Sequence, residues 1–403
     1  MYRLPVFVLI LLGLIILGKD AVAAPLSAKN ITQVGRIEIA GGGMVDVAGR
    51  IAAVGHMGPP FATTLLDVGD PSRPRILSRI KTRPGTHSHK ARICGDTLAI
   101  NVECYSGSGP GGLALFDIAD PARPREVAFH PMGGTGAHRF QFDCARKMIY
   151  ASGGAEGFEG NITLILDVFD PSQPREVGRW WLPGQNVAAG EKPAAGAVRT
   201  HHPLRLNDRL YVPLWFAGFA IVDIADPARP ALVSHVNYDA GRSSPTHTAL
   251  PVAHQIAGRR WLIIVDEELG GGSPPAFMRL FDITDERQPL QAATFQVPED
   301  PTGITGGRFG AHQPHEGVGP DSLVYIAWFS GGLRIVDISD PWRPKEAGHY
   351  IPRPAAGQAF TQSNDVFVAA DGLIYLIDRI SGLSILRHRQ NPHPSPAAAA
   401  RPR

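Results

Sequence analysis

The sequence predicts an all-β chain: a seven-bladed β-propeller of four-stranded blades, its ring closed by an N-terminal strand placed in the last blade. Three observations carry that expectation. A turn motif, Asp-x-x-Asp-Pro, recurs along the chain. Its copies are spaced at 50 to 59 residues, from Asp67 through Asp117, Asp167, Asp223 and Asp282 to Asp337. The 45 glycines and 36 prolines are spread along the 403 residues, which suits many short strands and turns rather than long helices.

Spacings of this size are those of propeller blades or similar arrays. The motif explains its own place in a blade. Its Asp accepts a backbone N–H, and Pro presets φ for a turn between the third and fourth strands. In the sixth repeat the four strands are expected at Glu316–Val318, Leu323–Trp328, Gly332–Ile338 and Glu346–Ile351, each short and bounded by turn residues. A seventh, degenerate copy is Gly382-Leu383-Ser384-Ile385-Leu386, with no fourth strand after it. Residues Ile31 to Ile37 resemble the fourth strand Pro174 to Trp180, so they are expected to complete the seventh blade. That closure removes open sheet edges. The motifs Gly332-Leu333-Arg334-Ile335-Val336-Asp337-Ile338-Ser339-Asp340-Pro341 and their siblings resemble the LVIVD-repeat proteins, a bacterial and archaeal group of exported propellers. The resemblance implies the fold and says little of activity.

Residues 1–23 read as a signal peptide. Arg3 precedes an apolar run from Val6 to Leu17, and Ala21-Val22-Ala23 offers small residues for cleavage. An uncleaved anchor is the alternative. Either way the expected location of residues 24–390 is periplasmic or extracellular, with no membrane span after cleavage. Residues 391–403 read as a disordered tail. A net charge of +2 gives no field for nucleic acid, and a monomer is expected.

Histidine placement carries the functional expectation. His89, His201 and His315, with Asp365, stand ten residues before the start of a second strand; His138 and His247 occupy similar contexts. Innermost strands line a propeller's channel, so these residues should converge at one mouth. Neutral imidazole is a ligand for copper, iron, zinc or nickel. His89, His138, His201, His247 and His315 are therefore expected as a transition-metal ligand pool. Glu316 is expected as second shell or base, with Cys104 opposite His87 as a soft ligand or reactive thiol. His87, His202, His312, Trp215, Trp328 and Asp365 are expected to face substrate. Loops on the same face also hold Glu103, Tyr105, Phe216, Glu267 and Phe329. Cys94 and Cys144 fall at neighbouring hairpin turns and are expected to form a disulfide. Two functions fit: a metal-dependent oxidoreductase, or a non-catalytic scaffold whose loop-rich face binds a small molecule, glycan or protein. No phosphate-cradling Gly-Lys-Ser/Thr motif, nucleophile elbow or paired CxxC is present.

Overall fold

The computed structural model describes residues 24–105, 109–192, 198–238, 244–271, 274–297 and 307–389. The expectations for segments 1–23 and 391–403 lie outside the described residues. Among the described residues no helix is long and apolar enough to cross a membrane.

The structure is built from antiparallel sheets. Three are four-stranded; the first of them joins Gly42–Ala48, Ile51–His56, Phe61–Asp67 and Arg75–Lys81. The others span 204–236 and 246–295. An eight-stranded sheet covers 86–180, because the long strand Arg125–Asp143 runs from one repeat into the next. A nine-stranded sheet covers the last two repeats and takes in both N-terminal strands. Ile31–Ile37 pairs antiparallel with Gly382–His388, Ile31 facing His388. Ser27–Lys29 pairs with Lys345–Ile351 and has no counterpart in the sequence reading.

The repeated turn works as its chemistry dictates. Asp67 accepts the Gly69 N–H at 3.0 Å and pairs with Arg75 at 2.7 Å, eight residues on. Asp117–Arg125 and Asp167–Arg175 repeat the pair. These turns also dock between repeats. A Cβ on Gly35 would lie 1.9 Å from the Pro71 carbonyl, and one on Gly178 would lie 1.9 Å from that of Pro227. Only glycine admits so close a backbone approach.

Hydrogen bonds near the axis run from repeat to repeat and return to the start. Met44 N–H reaches His89 O, Asn101 Nδ2 reaches Ala137 O, and Arg205 N–H reaches Gln141. His201 Nδ1 donates to His247 O, Glu268 N–H to Ala311 O, His312 Nδ1 to Asn364 O, and Asn364 Nδ2 to Gly43 O. This is a β-propeller, with apolar clusters between successive sheets and a polar, side-chain-filled axis. Cys94 and Cys144 form a disulfide with a Cα separation of 5.4 Å.

One strand differs from expectation in a way that matters. The first strand of the sixth repeat is Phe309–Pro314, not Glu316–Val318. Glu316 to Val318 instead lie in the connection before Leu323–Phe329.

Candidate functional site

Each repeat delivers three residues to the axis: a small one followed, in all but the first repeat, by a polar pair. In chain order these are Gly42-Gly43-Met44, Ser88-His89-Lys90, Ala137-His138-Arg139 and Thr200-His201-His202. Then come Thr246-His247-Thr248, Ala311-His312-Gln313 and Ser363-Asn364-Asp365. The small residue leaves room for the neighbouring strand. The first polar residue of five strands is histidine.

These rings form a continuous ladder. His87 and His89 have centroids 5.2 Å apart, His89 and His138 5.0 Å, His138 and His201 4.7 Å. His201 to His247 is 4.3 Å, and His247 to His312 is 4.4 Å. All six are buried or nearly so, His201, His247 and His312 completely. Aromatic rings cap the ladder. Tyr105 stacks on His87 at 5.0 Å, Trp215 lies 4.9 Å from His201, and Phe329 stacks on His312 at 4.5 Å.

Two carboxylates face the rings. Glu103 lies 2.8 Å from His138 Nδ1, 3.4 Å from His87 Nε2 and 3.6 Å from His89 Nδ1. Glu267 lies 3.8 Å from both His247 Nε2 and His312 Nε2, and pairs with Arg308 at 3.2 Å. Two sets offer ligand atoms within 4.8 Å of one another: His87, His89 and Glu103, and His201, His247 and Glu267.

Burial holds the imidazoles neutral. It pushes His89, His201, His247 and His312 well below their ordinary range, with the Arg139 cation adding to the effect. Burial lowers His138 as well. Burial works against the Glu103 carboxylate, but His138 and the hydrogen bonds from His138 and His87 outweigh it and keep Glu103 ionised.

The tautomers follow from the partners. His201 Nδ1 faces a carbonyl at 2.8 Å, so it carries the proton. His138 Nδ1 faces a carboxylate and carries its proton too. Their Nε2 lone pairs then point at each other across 2.9 Å. The Nε2 atoms of His89, His247 and His312 are buried without a hydrogen-bond partner.

A second tier lies one to three residues deeper along the same strands. Lys90 Nζ sits 2.6 Å from Glu316 and 3.1 Å from His202 Nε2, while Arg92 also pairs with Glu316. His202, expected to face substrate, is buried here and 3.1 Å from Glu316. Burial drives His202 down to about 3 and Lys90 down to about 7. Asp365 accepts the Val45 N–H at 2.9 Å and is raised to about 6 by burial. A cavity of about 310 Å³, lined by Arg92, His315, Glu316 and Asp365 among others, lies at this level.

Several sequence expectations are corrected by this geometry. His315 is not among the ladder rings; it packs edge-on against Phe367 and accepts the Val368 N–H. The early start of the sixth repeat's first strand puts His312 in the ladder instead. Glu316 serves the deeper tier, not the ladder. Cys104 faces Thr86, and His87 faces Glu103, because the register slips by one residue between His87 and Ala91. Cys104 is buried and outside the disulfide. Trp328 is buried in the apolar core against Phe295, and its neighbour Phe329 reaches the site. His89, His138, His201 and His247 come together with His87 and His312, and Trp215 borders them. Arg139, buried beneath the rings, was missed; the small-His pattern marks it as the residue after the histidine.

Solved structures share the fold. The chain is 13% identical to the periplasmic gluconolactonase PpgL of Pseudomonas aeruginosa, with a TM-score of 0.56, covering 79% of this chain and 88% of that one. It is 16% identical to the β-propeller domain of Myceliophteria thermophila Cps50 (Swd1), TM-score 0.53, covering 88% and 99%. For Saccharomyces cerevisiae Sqt1 the figures are 8%, 0.51, 87% and 86%. At these identities the likeness is one of fold alone. No curated protein matches the sequence. The LVIVD repeat family model matches residues 208–238 and 323–351, so the chain is a β-propeller that carries LVIVD repeats.

Proposed function

We propose that this chain is an exported, monomeric, seven-bladed propeller whose histidine ladder binds transition-metal ions and performs redox chemistry with them. One observation carries the reading: His138 Nε2 and His201 Nε2 face each other at 2.9 Å, each with its proton committed to the other nitrogen. Two lone pairs held this close repel unless a proton sits between them or a metal ion, about 2.0 Å from each nitrogen and to one side of the line joining them, takes both. Burial disfavours a proton there, since it lowers both imidazoles. A metal ion fits the donor set. The buried, unpartnered Nε2 atoms of His247 and His312 point the same way.

Imidazole donors outnumber carboxylates, which suits copper, iron or zinc rather than calcium or magnesium. Such an ion supplies a redox or Lewis-acid centre. Glu103 orients His138 through its Nδ1–H and holds negative charge beside the ligands. Tyr105, Trp215 and Phe329 keep bulk water from the rings. The test is metal analysis of the purified chain, before and after loading with copper, iron or zinc. Stoichiometric metal, lost in His201→Ala, is expected; metal-free protein that takes up none of the three contradicts the reading.

Exposure of Tyr105 (66%) and Phe216 (37%) at the same mouth favours a second reading, a scaffold that docks a protein or glycan there. The deep burial of the histidines favours the metal reading, since a docking surface has no use for unpartnered buried nitrogens.

A further inference from the structure

Few acids serve the arginines of the ladder: Glu103 and Glu267 act on Arg139 and Arg199, and Glu267 and Asp378 on Arg379, none of them in a direct ion pair among the described residues. Arg139 is 4% exposed; its neighbours are Gln313 Oε1 at 3.5 Å and the Met44 sulfur, and among the described residues no carboxylate pairs with it. Arg199 lies over the Trp215 ring at 3.9 Å, and its buried Nε has no hydrogen-bond partner. Arg379 bonds Asn364 Oδ1 at 2.7 Å and sits 5.6 Å from the Phe329 ring, again with no carboxylate paired among the described residues. Arg308 shares that ring at 4.1 Å and pairs with Glu267. Arg308 also donates to the Glu268 backbone carbonyl at 3.2 Å.

Trp215 and Phe329 border His201 and His312, so the arginines stacked on them stand beside the ladder on two sides. Part-buried cations that lack a direct ion pair are costly. A guanidinium fork on an aromatic face is a standard cradle for a planar or tetrahedral oxyanion. We infer that the site takes a small organic oxyanion, its charged group held by Arg199, Arg308 and Arg379 and its apolar body lying against Tyr105, Trp215 and Phe329. The inference rests on the ladder being the reacting centre, because the arginines then fix the end of the substrate that does not react.

The experiment is calorimetric titration of the full chain with benzoate, phenyl phosphate and benzyl alcohol, with metal content measured on the same samples. At least one of the two anions is expected to bind 10-fold or more tightly than benzyl alcohol. Whichever is tighter assigns carboxylate or phosphate. Arg199→Gln and Arg379→Gln should each weaken anion binding by about 10-fold, the size of one charge-assisted hydrogen bond. Benzyl alcohol binding and metal content should not change, and Arg199→Lys should restore part of the loss. Equal binding of all three probes, or anion binding untouched in both glutamine variants, overturns the inference. Metal-free protein that still binds an anion through Arg199 and Arg379 contradicts the metal reading and leaves this one standing. Metal-loaded protein with no anion preference contradicts this one alone.

Discussion

The histidine ladder and the charged tier beneath it are built from adjacent residues of the same strands, yet they solve burial in opposite ways. In the lower tier most strong charges have a partner, Arg139 excepted: Lys90 and Arg92 share Glu316, and Asp365 and Asp46 accept backbone N–H groups. In the upper tier rings are neutral and several nitrogens have no partner. A buried polar group left unmatched costs about 1–3 kcal/mol. The lower tier leaves few such atoms, His202 Nδ1 and Arg139 Nε among them, whereas the proposed metal would take up the Nε2 atoms of the upper tier. One step along a strand separates structure from function: His89 from Lys90, His201 from His202.

Substitutions can break that contrast. The largest effect is expected at Glu316. Glu316→Gln leaves Lys90 and Arg92 buried with their shared partner neutralised, and should cost about 3–5 kcal/mol in urea unfolding. A loss under about 1 kcal/mol would mean the lower tier is not what holds the axis together.

Acid should act next. Burial lowers His202 to about 3 and His315 to about 4, against about 6.5 in the unfolded chain. Between those values the unfolded state binds more protons. The contribution of these histidines to stability is therefore complete above about 6.5 and is lost as pH falls toward 4. The slope is up to about 1.4 kcal/mol per pH unit for each such histidine, and burial lowers His89, His138, His201, His247 and His312 in the same direction. Melting of chelator-treated protein at pH 7, 6 and 5 reads this directly, and a flat profile would contradict it.

Arg139 sharpens the contrast with the smallest effect. It is buried, lacks a paired carboxylate among the described residues, and opposes a cation above it. Arg139→Met should leave stability within about 1 kcal/mol or raise it. It should also tighten metal binding, measured by competition with a chelator. Weaker metal binding in that variant would place Arg139 in support of the ligands rather than against them.

The repeat, the turn chemistry and the pairing of the N-terminal strand with Gly382–His388 were legible because the Asp-x-x-Asp-Pro period fixes where strands begin. The convergence of His89, His138, His201 and His247 followed from that period. Three local slips were not legible. Phe309–Pro314 starts early, so counting from the second strand landed on His315 instead of His312. An irregularity between His87 and Ala91 moved Glu103, not Cys104, opposite His87. Strand alternation put Phe329 on the site and Trp328 in the core. A one-residue shift exchanges the two faces of a strand, so spacing alone is least reliable where bulges lie. The pairs Ala137-His138, Thr200-His201, Thr246-His247 and Ala311-His312 track the ladder more faithfully than counting from the second strand does.

The measurement that bears most directly on the central claim compares His201→Ala with His315→Ala, using metal content per chain after loading and dialysis. Both remove one buried imidazole from an innermost segment, but only His201 stands in the ladder. The account predicts that His201→Ala loses most of its metal and that His315→Ala keeps it. Equal retention in both, or loss in His315→Ala alone, would contradict it.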